Sequence, residues 1–194
     1  MKRMKWLGAL VLTAGMIVLL LSCAGLPKPT EDTDTLVIGT FVVDFPEGFF
    51  DLDPRRIINS VKLDFLNVTT KERFTVRTYK EYFYFPARGL EEFVLESFEY
   101  STREESKSER KITEYSFGPM ELNFKIRTKP KSVVYLGHLT FVYSNPTIKK
   151  HGRYQYYDYE KDLDVQWDRA AVVEYLKGSK EGEAWLAYEV VESR

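Results

Sequence analysis

Sulfur chemistry is almost absent from this 194-residue chain, which has a single cysteine, Cys23. An intramolecular disulfide or a paired-cysteine metal site is therefore excluded, and stability must come from packing. Histidine is nearly as scarce, with only His138 and His151. Neither has a ligand or base partner at short spacing, and no His-x-x-x-His, Gly-x-Ser-x-Gly or P-loop pattern occurs. These absences argue against an enzyme, and no cofactor is expected. An excess of positive charge is missing too. The formal net charge is −1, from 28 Lys and Arg against 29 Asp and Glu. Such a balance lacks the clustered basic surface of a nucleic-acid binder. What remains is 44% apolar and 15% aromatic residues, enough for an ordinary core at this length.

The chain opens with the basic residues Lys2, Arg3 and Lys5, followed by an apolar run over residues 6–21, Ser22 and Cys23. A membrane-spanning helix needs about 20 apolar residues, and this run is shorter and broken by Gly8, Thr13 and Gly15. An ordinary cleaved leader needs a small-x-small site, for which Thr13-Ala14-Gly15 is a poor match. Leu20-Leu21-Ser22-Cys23 resembles the lipobox of bacterial lipoprotein signals. That resemblance implies export, diacylglycerol (later palmitate) on the Cys23 sulfur, and cleavage between Ser22 and Cys23. One acyl chain holds only marginally, whereas two or three anchor stably. Ala24, in place of aspartate, implies the outer membrane in a two-membrane envelope. Loss of Lys2, Arg3 and Lys5 leaves the mature chain more acidic, a sign suited to solubility beside anionic lipid.

Residues 24–34 are polar, with two prolines and no apolar periodicity. They read as a flexible tether that spans on the order of 35 Å when extended. From residue 35 the strand signal dominates. Val61, Leu63 and Phe65 alternate with Lys62 and Asp64, as do Leu122, Phe124 and Ile126 with polar neighbours. Residues 35–45 and 132–143 are apolar on both faces and predict central strands. Residues 73–78 and 80–85 predict further strands. Between residues 91 and 100 the alternation changes phase near Glu96-Ser97, which predicts a β-bulge. Pro86-Ala87-Arg88-Gly89 predicts a turn, and the charged residues 101–110 an exposed loop or hairpin tip. The sum is a mainly β fold: an antiparallel sandwich of about eight or nine strands. Helical spacing then appears over residues 164–177, stopped by Gly178, and over residues 182–192. One or two short helices should pack Trp167 and Trp185 on the sandwich.

Tyr82-Phe83-Tyr84-Phe85-Pro86-Ala87-Arg88-Gly89-Leu90-Glu91-Glu92-Phe93-Val94-Leu95 resembles the aromatic strand, turn and return strand of prealbumin-like (carboxypeptidase-regulatory-like) β-sandwich domains. Val133-Val134-Tyr135-Leu136-Gly137 is similar to a strand of small envelope lipoproteins of that type. The resemblance covers about a third of the mature chain and departs from the pattern where Ala87-Arg88 separates proline from glycine. It implies a binding or accessory module and carries no catalytic residues.

Three groups of side chains stand out. His138 sits within a strand and reads as half-buried and hydrogen-bonded, while His151 reads as solvated. Asp158, Glu160, Asp162 and Asp164 recur at alternate positions, so an extended chain projects them to one side. They form either the start of a calcium site or a solvated strand end whose acids favour a following helix N-terminus. Asp51 and Asp53 are a weaker acidic pair. Tyr154, Tyr156, Tyr157 and Tyr159 form either a core-covering strand or a contact surface for sugar rings or protein. The domain plan is a signal peptide over 1–22, lipidated cysteine and tether over 23–34, sandwich over 35–160 and helical cap over 161–194. The functional expectation is a non-enzymatic, lipid-anchored envelope module that meets an envelope protein or polysaccharide. An envelope hydrolase or calcium-dependent enzyme is the alternative, and a structural subunit of an envelope assembly the third.

Overall fold

Period-two alternation sorts most of this chain into two sheets that share one apolar interior. The computed structural model describes residues 25–45, 57–105, 112–151 and 154–193. Its strands are β1 (Thr35–Asp44), β2 (Ile57–Asn67), β3 (Arg73–Arg77), β4 (Tyr82–Ala87), β5 (Glu92–Glu105), β6 (Ile112–Arg127), β7 (Ser132–His151), β8 (Tyr154–Gln166) and β9 (Glu189–Glu192), with helix α1 (Arg169–Lys177) between β8 and β9. One sheet runs β3-β2-β5-β6, and the other runs β4-β1-β7-β8 with β9 beside β7. Val61, Leu63 and Phe65 of β2 meet Val37 and Phe41 of β1 and Leu136, Leu139 and Phe141 of β7 in the buried layer between the sheets. The fold is mainly β, with two sheets packed as a sandwich.

β1 and β7 are the central strands that their two-sided apolar patterns require, and they lie side by side. Their pairing is parallel, as is that of β7 with β9, so the expected all-antiparallel sandwich is corrected to one antiparallel and one mixed sheet. The four-stranded sheet intervenes in sequence between β1 and β7, and the chain re-enters the other sheet from the same end. Both faces of these strands are covered over their first residues, 36–38 and 133–136, as buried parallel strands require. Leu36, Ile38, Val133 and Tyr135 point away from the interlayer core into a second cluster with Val172, Leu176, Trp185 and Val190.

Gly137 switches the parity of β7. Leu136 and Leu139 both face the interlayer core, which strict alternation forbids, and the extra residue sits at Gly137 with φ +88°. A Cβ there would lie 2.8 Å from the Gln166 carbonyl oxygen. The phase change near Glu96 has the same origin. The register of β5 against β2 slips between Asp64 and Phe65, so that Leu95 and Phe98 are both buried. The turn after Pro86 carries the chain from β4 in one sheet to β5 in the other. β5 also runs through Glu105, so the first half of the expected 101–110 loop is strand. β3 and β4, from the predicted strands 73–78 and 80–85, lie in different sheets.

The cap departs from its expected form. Asp168 is the N-cap of α1, with Oδ1 accepting from the Ala170 and Ala171 amides at 3.0 and 3.2 Å. Asp162 and Asp164 lie in β8 and take no part in that cap. Gly178 ends the helix as expected. The second helix does not form: residues Gly182–Ala184 make a 3-10 turn, and Glu189–Glu192 is the strand β9. β8 pairs with β7 only from His138 onward, so the edge of Ser132–Tyr135 is open, and the β-branched pair Val190-Val191 fills it.

Residues 25–34 are not a free tether. Leu26 is 3% exposed and joins the second cluster. Trp185 Nε1 donates to the Pro27 carbonyl at 2.6 Å. Asp34 accepts from the Gly89 amide at 3.1 Å and the Lys131 amide at 3.2 Å, which ties this strap to two sheet corners. Sequence polarity hid the strap because a single leucine and a backbone carbonyl are enough to dock it.

Candidate binding surfaces

Among the described residues, β7 and β8 outrun their neighbours. β1 accompanies β7 as far as the Asp44–Val142 pair, whereas β7 and β8 stay paired to His151–Tyr154. From Val142 to His151 is nine strand steps, roughly 30 Å of two-stranded ribbon. Its register sets Tyr154 opposite His151, Tyr156 opposite Lys149 and Tyr157 opposite Ile148. The strand period splits the four tyrosine positions. Tyr154 and Tyr156 share their parity with Asp158, Glu160, Asp162 and Asp164, while Tyr157 and Tyr159 share theirs with Leu163 and Val165, which pack on the core.

Glu160, Asp162 and Asp164 lie on β8 at positions alternate to Leu163 and Val165, which pack on the core. Rows across the sheet are Thr40–His138–Gln166, Val42–Thr140–Asp164 and Asp44–Val142–Asp162. Alternate residues along a strand are about 6.6 Å apart, a wide spacing for oxygens that must each lie 2.3–2.6 Å from one calcium ion. Asp162 Oδ1 accepts from the Leu163 amide at 2.8 Å, and Asp164 Oδ2 accepts from Gln166 Nε2 at 2.9 Å. Among the described residues, no three His, Cys, Asp or Glu side chains are placed to hold a metal. His138 is half-buried and hydrogen-bonded through Nδ1 to the Thr40 hydroxyl. Leu136, two positions before His138, faces the core and not the side of His138 because of the Gly137 bulge.

Two features carry no sequence signal. One is the docked strap at Leu26 and Pro27. The other is a tyrosine stack under the cap, where the Tyr82 and Tyr175 rings lie 3.9 Å apart at 13°. Burial pushes the Tyr175 hydroxyl up to about 12, with nearby tyrosines adding to the shift. Helical spacing marked neither residue because Tyr82 arrives from β4. Ser22, Cys23, Asp51 and Asp53 lie outside the described residues. No helix among the described residues is long and apolar enough to cross a membrane. No protein-family model, curated protein or solved structure matches this chain.

Proposed function

We propose that this chain is a lipid-anchored protein of the bacterial envelope, held through Cys23, that serves as a non-enzymatic binding or accessory module. The observation that carries this is Leu20-Leu21-Ser22-Cys23 behind a basic start and an apolar run. The docked strap supports it, since a fold fixed three residues after Cys23 suits a chain that begins at that cysteine. Ala24 assigns the outer membrane where the source has two. The domain is a sandwich of the prealbumin-like kind, with eight or nine strands and one C-terminal helix. Its contact element is the β7–β8 ribbon, whose tyrosines offer large area at small entropic cost. The partner is an envelope polysaccharide or protein.

Metabolic labelling with a fatty acid tests the anchor. Label should enter the native chain and vanish in Cys23→Ser; label that persists in the variant refutes the anchor. Soluble protein made without residues 1–23 should be folded, β-rich and indifferent to EDTA. A rise of several degrees in Tm with calcium would move the function to the acidic strand. Tyr154→Ala with Tyr156→Ala should abolish sedimentation with insoluble envelope polysaccharide and leave the Tm within a degree or two. A stability loss of about 3–5 kcal/mol, the range for core aromatics, would assign these residues to packing.

A further inference from the structure

If Cys23 carries the lipid as proposed above, the docked strap decides how the protein meets its membrane. Leu26 is buried between the mixed sheet and the cap. Pro27 is clasped by the buried Trp185, 0% exposed. Gly25 rests against Glu181, whose carboxylate oxygen would lie 2.7 Å from a Cβ at that position. Three residue steps separate Leu26 from Cys23, a reach of at most about 11 Å when fully extended. The acyl chains must enter the bilayer core, so the sulfur lies at headgroup depth. Within that short reach stands the stretch running from the strap to the turn after α1, where Lys28 and Lys180 are both exposed. β1 and β7 lead the other way. Their first pair, Thr35 with Ser132, is at the strap end, and Asp44 with Val142 is about 30 Å further along.

We propose that the outer side of the cap, from Lys28 to the Lys180–Glu181 turn, is the face this protein lays on the phospholipid surface. The domain is held in one orientation, and the β7–β8 ribbon is directed away from the strap end. Its occupant is the bilayer that holds the anchor. Lys28, Lys177 and Lys180 on this side are interleaved with Glu174, Glu181 and Glu183, so the short reach of the anchor and not net charge selects the face.

The test uses the full, acylated chain in vesicles of phosphatidylcholine and phosphatidylglycerol. Acylation occupies the native cysteine, so Lys180→Cys and Asp162→Cys each supply one free thiol for a fluorophore, at exposed positions on the cap and on β8. Energy transfer to a headgroup dye should be several-fold stronger from position 180 than from position 162. Inserting about ten Gly and Ser residues between Ala24 and Gly25 restores a flexible tether and should bring the two signals together. Equal transfer from both positions without the insertion, in protein that floats with the vesicles, overturns the face and leaves the anchor standing. Failure to float overturns the anchor, and this face falls with it.

Discussion

At the scale of single residues, Gly137 has little freedom to change, being confined by both contact and backbone angle. A side chain there meets the Gln166 carbonyl at 2.8 Å and must hold φ at +88°. Gly137→Ala should cost more than the ~1–3 kcal/mol typical of a strained backbone alone, read as a drop in the urea midpoint. An unchanged midpoint would show that β7 can slip its register and absorb the extra residue. Residues of this kind were only partly legible. The bulge at Glu96 was visible because apolar residues on either side of it change parity. At Gly137 no such signal exists, since 132–143 is apolar on both faces and parity cannot be read from it. The tyrosines at 154–159 were visible in the sequence as a group.

Among elements, the cap shows where local pattern and tertiary demand part company. The segment 169–177 obeys its own sequence: an Asp168 cap, Val172 and Leu176 on the inward face, and Gly178 as the stop. The segment 182–192 does not, because an open strand edge at Ser132–Tyr135 outcompetes weak helical spacing. Between α1 and β4 the stacked Tyr175 and Tyr82 make this element sensitive to alkali. Burial raises the Tyr175 hydroxyl to about 12, and burial raises Tyr143 to about 12 as well. An unfolded tyrosine ionises near 10. Between about pH 10 and 12 the unfolded chain therefore binds fewer protons than the folded one, and stability falls as pH rises. The contribution is complete below about pH 10 and is lost through about pH 12. Urea midpoints should hold steady to pH 9 and decline above 10, in step with tyrosinate absorbance. Tyr175→Phe should flatten part of that decline, and an unaltered slope would remove Tyr175 from the account.

For the whole molecule, the sandwich was legible and its wiring was not. Alternation identifies a strand and its buried side, but it is blind to direction, so the parallel pairing of β1 with β7 could come only from the structure. The strap was misjudged for a related reason: composition describes what a segment prefers alone, and Leu26 is held by residues far along the chain. A chain starting at residue 29, compared with one starting at residue 25, should lose about 2–5 kcal/mol, as for deletion of a buried leucine. Hydrogen exchange should speed up in α1 and β9 and stay slow in β2 and β5. Equal stability of the two chains would return residues 25–28 to the status of a tether.

The clasp between Trp185 and Pro27 joins positions 158 residues apart. A polypeptide is made front end first, so the seat for Leu26 is incomplete until Trp185 and Val190 have been added. The four-stranded sheet can form before the clasp, and a chain stopped short of Trp185 leaves Leu26 and Pro27 without their seat. Only a copy carried as far as Trp185 can fasten the strap at Pro27.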